Sequence, residues 1–207
     1  MKLVNLTRAA FIATTLMIGG NVMAAESAAV ADESGGVEAT AGGMAVARQE
    51  IEYLRRRYAK ATDLFGVNTP EAIAEGNKIY HRIFTPDAQI QTSGEGSQPL
   101  HAVGPDGWAK VANTALKDYV ATQHLIGTQL VEIDELRQDA DGQVLSGEAS
   151  MTSYLQAWHA NTDNVFVFFG TYVDKVRYTP GVGWQIYDMN LVQISGDLRP
   201  LVNSRPE

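Results

Sequence analysis

The order of patterns along this chain predicts an α+β domain in which a curved, cone-shaped antiparallel sheet packs on three N-terminal helices and encloses a pocket. Three observations carry the prediction. Up to Tyr119 apolar residues recur at spacings of three and four; beyond it Val, Ile, Thr, Tyr and Phe dominate; and turn residues cut that second half into four long segments.

The first helix is read from Ala47, with Ile51, Leu54, Tyr58, Ala61 and Phe65 on one apolar stripe and Gly66 and Asn68 ending it. Thr69-Pro70-Glu71 opens the second: the threonine caps, the proline suits the first helical position and the glutamate complements the dipole. It runs to Phe84 and stops before Pro86, after which Asp87 to Thr92 reads as a short strand and Ser93 to Pro99 as a Gly/Ser-rich loop. Gly104-Pro105-Asp106 begins the third helix, which turns Trp108, Val111, Ala112, Ala115 and Tyr119 inward. Thr122 to Asp134, Gln143 to His159, Val165 to Thr179 and Gly183 to Ser195 are the strands of the meander. Asp141-Gly142, Asn161 to Asn164 and Pro180 to Gly183 are its turns.

Around this core, residues 44–196, the ends read differently. Lys2 and Arg8, an apolar run from Ala9 to Gly19 and then Val22-Met23-Ala24 have the order of a secretory signal peptide over residues 1–24, cleaved before Ala25. The run is broken by Thr14, Thr15 and Gly19 and is too short for a retained membrane span. Export to the periplasm or beyond follows as an expectation, with no membrane partner after cleavage. Residues 25–43, mostly Ala, Gly, Ser, Glu and Val without an aromatic residue, read as a flexible leader, and residues 197–207 as a loose tail. What lies between, about 160 residues, suits one domain with a real core.

Composition narrows the chemistry. The chain has no cysteine, which removes disulfides, zinc–thiolate sites and thiol nucleophiles. Its formal charge of −8 grows two units more negative once Lys2 and Arg8 leave, and such a surface repels nucleic acid. The one basic run, Arg55-Arg56-Arg57, reads as a solvated helix face. The four histidines, His81, His101, His124 and His159, form no metal-ligand pair, so no metal is expected. No nucleophile elbow, phosphate loop or dinucleotide fingerprint is present either, and no cofactor is expected. Acid/base chemistry in a dry cavity is the enzymatic option that remains.

Three local patterns give the sequence a resemblance. They are Tyr58-Ala59-Lys60-Ala61-Thr62-Asp63, Thr122-Gln123-His124-Leu125-Ile126-Gly127, and Gly170-Thr171-Tyr172-Val173-Asp174 followed by Gly183-Trp184-Gln185-Ile186. Together with the element order they resemble the SnoaL-like, polyketide-cyclase-like branch of the nuclear transport factor 2-like superfamily, and locally its scytalone dehydratase members. The resemblance implies that Asp63 and His124 form a carboxylate–imidazole pair in the pocket, the acid fixing the tautomer of the base and raising its proton affinity. It also shows departures: Thr62 stands where the dehydratase has a tyrosine, Thr92 falls near a second such position, and its second pocket histidine would fall near Leu155 or Gln156. Dehydration of the fungal naphthol substrate is therefore not implied, while a related elimination is.

The residues also speak for themselves. At about 100° per residue Asp63 sits roughly 140° from Tyr58, off the apolar stripe, so either the helix end is wrapped on two sides or the acid is solvated. His124 shares an alternating strand face with Ile126 and Leu130, which marks that face as inward. Tyr58, Tyr80, Trp108, Tyr119, Tyr154, Trp158 and Tyr172 lie on elements that line or close the cone, either as packing or as partners of a phenolic or other flat polar substrate. Tyr154 and Gln156 share a strand face, and His159 with Asn161 to Asn164 forms either the pocket mouth or a plain surface loop. The expected function is a cofactor-independent lyase for a small aromatic or polyketide-like molecule, releasing water or a small aldehyde. The alternatives are an isomerase or cyclase with the same proton shuttle, or a non-catalytic binding or assembly domain. A homo-oligomer formed through the exposed sheet face is a further expectation.

Overall fold

The computed structural model describes residues 36–201. The signal-peptide expectation over residues 1–24 and the leader as far as residue 35 lie outside the described residues. The elements are β1 (Val37–Glu38), α1 (Ala41–Val67), α2 (Pro70–Ile83), β2 (Phe84–Ser93), β3 (His101–Val103), α3 (Gly104–Leu116), β4 (Ala121–Gln138), β5 (Val144–Ala160), β6 (Asn164–Thr179) and β7 (Gly183–Pro200). The seven strands form one curved sheet in the order β1-β4-β5-β6-β7-β2-β3, with the three helices packed on it.

Both long helices start where short polar side chains stop the backbone amides from being orphaned. Thr40 accepts from Gly43 N at 3.1 Å to begin α1, and Thr69 accepts from Ala72 N at 3.2 Å to begin α2. The first cap places the start of α1 six residues ahead of Ala47, inside the stretch expected to be flexible. Beside it β1 pairs Val37 and Glu38 with Gln138 and Arg137 at the end of β4. The stripe of Ile51, Leu54, Tyr58, Ala61 and Phe65 is buried as its spacing requires. Arg55, in contrast, is no surface cation: it lies four residues after Ile51 and three before Tyr58, on the buried side, and is 0 % exposed.

The meander β4-β5-β6-β7 is antiparallel throughout, with strands of 16 to 18 residues that bend at register shifts. One shift, between Ile126 and Gln129, reverses the inward phase of β4. Leu130, expected beside His124 and Ile126, therefore points outward and is 58 % exposed, while Val131 is buried. Two further departures concern the sheet margins. β2 begins at Phe84, carries Pro86 in an irregular stretch between Phe84 and Gln89, and runs parallel to β7, so the sheet is mostly rather than wholly antiparallel. β7 continues past Gly196 to Pro200, paired with Asn164 to Phe168 of β6, so residues 197–200 are strand and not tail. Gly104 holds φ +71°, and a Cβ there would stand 2.5 Å from the Pro86 carbonyl oxygen; the residue lets β3 turn into α3 close to β2.

Candidate functional site

Between α1, α3 and the inner faces of β5, β6 and β7 lies a cavity of about 220 Å³. Its floor is apolar, with Leu155, Ala157, Phe168 and Leu191 from the sheet and Val111, Ala112 and Leu116 from α3. Ser97, Gln98 and Leu100, from the segment joining β2 to β3, close one side. Thr92 reaches the cavity wall, but its hydroxyl is committed to that segment: it donates to Gln98 O at 2.7 Å and accepts from Leu100 N at 2.9 Å. It shapes the loop rather than offering a free group to a ligand.

Asp63 and His124 meet at the edge of this cavity. One carboxylate oxygen, Oδ1, accepts both from Nδ1 of His124 at 2.8 Å and from the His124 backbone N–H at 3.0 Å. The double attachment fixes the ring's rotamer and puts the proton on Nδ1, leaving Nε2 as the nitrogen available for chemistry in a side chain that lines the cavity. The wheel angle that set Asp63 off the apolar stripe is accounted for by β4, whose first residues pack over the end of α1. The acid is 24 % exposed and faces a groove lined also by Lys60, Gly66 and Thr122, while the histidine side chain is 7 % exposed. The pair thus spans the wall between cavity and solvent.

His159 is neither at a mouth nor on a surface loop. It lies within β5, faces the cavity, and its ring centroid is 5.4 Å from that of His124. Tyr119 tilts against it at 5.1 Å and Phe166 stacks at 6.3 Å. Tyr119 therefore supports a histidine and does not itself line the cavity. Burial, and secondarily the neighbouring His124, lower the pKa of His159 from 6.5 to about 4, so the ring is neutral at neutral pH. Its Nδ1 is buried without a hydrogen-bond partner among the described residues.

The aromatic candidates divide. Tyr58, Trp108 and Tyr172 line the cavity; Trp108 donates its Nε1–H to the Tyr58 hydroxyl at 3.0 Å. Tyr80 is buried behind them: it stacks on Tyr58 at 5.4 Å, and its hydroxyl donates at 2.7 Å to Thr62, whose own proton goes to Tyr58 O. Burial raises the phenol pKa of Tyr80 and of Tyr172 well above the ordinary value, so both stay protonated. Tyr154 and Gln156 do not belong to the site. They share a face, as alternation requires, but it is the outer one: Tyr154 is 60 % exposed, and Ser153, Leu155, Ala157 and His159 are the buried set. Both sets mix polar and apolar residues, so the period was legible in β5 and its phase was not.

A layer beneath the cavity went unforeseen. Arg55 reaches across to β6, where Nη2 donates to both carboxylate oxygens of Asp174, while Nη1 donates to Met189 Sδ at 3.4 Å; the Arg55 and Asp174 side chains are each 0 % exposed. The guanidinium also lies over the Tyr172 ring at 3.7 Å and the Tyr58 ring at 4.5 Å. Burial opposes the charge on Arg55, but Asp174 and the two tyrosines outweigh it and raise its pKa. The signal that could have found Arg55 was its place on the apolar stripe; nothing local pointed to its partner 119 residues away. Among the described residues no group of three or more His, Asp or Glu is positioned to hold a metal ion.

The family model described as a SnoaL-like domain matches residues 44–190. Comparison with curated proteins finds no match. Several solved structures are similar in fold. A protein of Novosphingobium aromaticivorans assigned as a scytalone dehydratase is 17% identical over 81% of this chain and 100% of its own, with a TM-score of 0.56. The hexachlorocyclohexane dehydrochlorinase LinA-type3 of Novosphingobium barchaimii is 13% identical over 79% of this chain and 96% of its own, with a TM-score of 0.57. Kfla4162 of Kribbella flavida is 19% identical over 74% and 95%, with a TM-score of 0.54.

Proposed function

The chain belongs to the SnoaL-like domain family, and from that premise we propose that it is a cofactor-independent lyase, exported by its first 24 residues, that eliminates water or a small aldehyde from a small ring compound. The observation that carries the reading is Asp63 Oδ1 holding both Nδ1 and the backbone amide of His124, with the imidazole at the wall of an apolar cavity. Two of the similar structures bear the names of eliminating enzymes, a dehydratase and a dehydrochlorinase, which supports the choice of reaction class.

In this mechanism Nε2 of His124 removes a proton from the carbon beside the one that carries the leaving group. The electron pair of the broken C–H bond becomes the new carbon–carbon double bond, and the bond to the leaving oxygen breaks. The imidazolium, stabilised by Asp63, hands its proton to that oxygen, so that water departs and His124 is neutral again. Aldehyde release runs on the same base: Nε2 takes a hydroxyl proton, the carbonyl forms, the adjacent carbon–carbon bond breaks, and the imidazolium returns the proton to the carbanion. His159, neutral and beside His124 in the lining, is placed to hydrogen-bond the substrate through its ring, and the Tyr172 hydroxyl sits on the same wall. An isomerase would use the same shuttle with the proton returned to a different carbon. The open cavity favours small-molecule chemistry over a purely assembling role, because an assembly domain has no need of unfilled apolar volume. As a partner, a second copy suits the outer sheet face, where Leu125, Leu130, Tyr154, Val173 and Ile194 are exposed.

The test is to incubate the purified protein, without added cofactor, with phenolic and polyketide-like compounds and read products by mass. A product lighter by water or by formaldehyde, lost in His124→Ala, is the expected result. Conversion that persists undiminished in His124→Ala overturns the mechanism.

A further inference from the structure

We infer that the cavity admits uncharged molecules of one ring, or of two fused rings, and rejects ions of either sign. The inference rests on the reading of the cavity as the substrate site and names the class of substrate it takes. Size is the first ground. A dry apolar cavity of about 150 Å³ accommodates benzene, and pockets for drug-sized ligands begin at about 300 Å³. At about 220 Å³ this cavity lies between them, with interior room for a substituted ring or a fused pair.

Charge is the second ground. Among the described residues, no Lys, Arg, Asp or Glu lines the cavity. The nearest guanidinium, Arg55, stands behind the rings of Tyr58 and Tyr172 and spends its charge on Asp174. Asp63 lies behind His124 and neutralises that histidine whenever it gains a proton, so a bound anion meets no net positive charge there. A bound cation, in turn, meets no carboxylate at the wall. An ion entering this space loses its hydration and finds no counter-charge.

The third ground is that several polar atoms are already spent and those left over are neutral. The Tyr58 hydroxyl is taken by Trp108, the Thr62 hydroxyl by Tyr58 O and Tyr80, and the Thr92 hydroxyl by the closing loop. What remains along the lining is uncharged: the His124 and His159 rings, 5.4 Å apart, the Tyr172 hydroxyl, and Gln98 and Gln193 towards the closing loop. A ligand held between the two histidine rings carries its polar substituent next to its acidic hydrogen and presents hydrocarbon to Leu155, Ala157, Phe168 and Leu191.

Matched pairs that differ only in charge test the inference: benzamide with benzoate, benzyl alcohol with benzylammonium, and 2-naphthol with 2-naphthoate. Binding of each to the wild-type protein is measured by calorimetry at neutral pH, which requires no turnover. The neutral member is expected to bind, and its charged counterpart to bind at least about 30-fold more weakly. Ala115→Phe, at an exposed position on the cavity wall, and Ala157→Phe, on its floor, should each abolish binding of the neutral member. Equal affinity for charged and neutral partners overturns the inference. So does binding that survives both phenylalanine variants in folded protein, or binding of neither member of any pair. The two readings fail separately: neutral ligands that bind and are never converted sink the lyase and leave this inference standing, whereas efficient conversion of a carboxylate does the reverse.

Discussion

Two acid–base pairs cross from helix α1 to the sheet, and they differ in what they leave over. Arg55 and Asp174 are sealed, both 0 % exposed, and the guanidinium is shared between a carboxylate and two aromatic faces. Asp63 and His124, two turns further along the helix, are partly open, and only one ring nitrogen is consumed. A pair sealed from solvent with its charges matched can hold a structure; a pair with one nitrogen facing a cavity can also do chemistry. The same helix thus carries a fastening near its middle and a base near its end.

The largest expected effect separates the two pairs by function. His124→Ala should lower turnover by about 10²- to 10⁴-fold, the usual contribution of a positioned general base, with the fold retained by circular dichroism. Asp63→Asn keeps an oxygen to accept from Nδ1 and from the backbone amide while removing the charge that supports the imidazolium. Its loss should approach that of His124→Ala, and the double variant should be little worse than either, because the two act as a unit. Turnover near wild type in Asp63→Asn would reduce that acid to a helix-end contact.

Next comes stability. Asp174→Ala leaves Arg55 charged and unpaired in the core and should cost about 3–5 kcal/mol in chemical denaturation. Replacing Arg55 by Met and Asp174 by Leu together should restore most of that loss, since the desolvation of both ions disappears with them. A comparable loss from Asp63→Asn would erase the distinction between the pairs.

A smaller effect depends on pH. The unfolded chain takes up the His159 proton below about pH 6.5, whereas the folded ring resists it until about 4. The stability that comes from keeping this ring neutral is complete above pH 6.5 and is lost as the pH falls towards 4, on the order of 2–4 kcal/mol in all. His159→Phe should flatten the stability–pH curve across that window, measured by denaturant midpoints at each pH. An unchanged slope would mean that the ring is hydrated or paired in solution. The smallest effect belongs to the loop: Thr92→Val removes two hydrogen bonds at the cavity's edge and should raise KM by about threefold with kcat nearly unchanged.

Much of the fold was legible from residue order, and particular residues show why some of the site was not. The helices and the meander were written in periodicity, and the capping threonine at position 69 and the turns at residues 141–142 and 161–164 marked their ends. The Asp63–His124 pairing came from resemblance and was in tension with the helical wheel until β4 was seen to cover the end of α1.

What the sequence by itself determined was therefore the class of element at each point, the apolar stripe of α1 and the two residue types needed for acid/base work. Tertiary structure alone decided which side of each strand looks inward. Alternation has a period of two but no origin, so it could place Tyr154 with Gln156 and not say that Leu155, Ala157 and His159 would form the wall instead. In β4 a single register shift after Ile126 moved Leu130 from the expected inner face to solvent. Arg55 and Asp174 show the same limit over a longer reach: each is an ordinary surface type by composition, and only the packing of α1 on β6 and its neighbours gives each the partner that allows both to be buried.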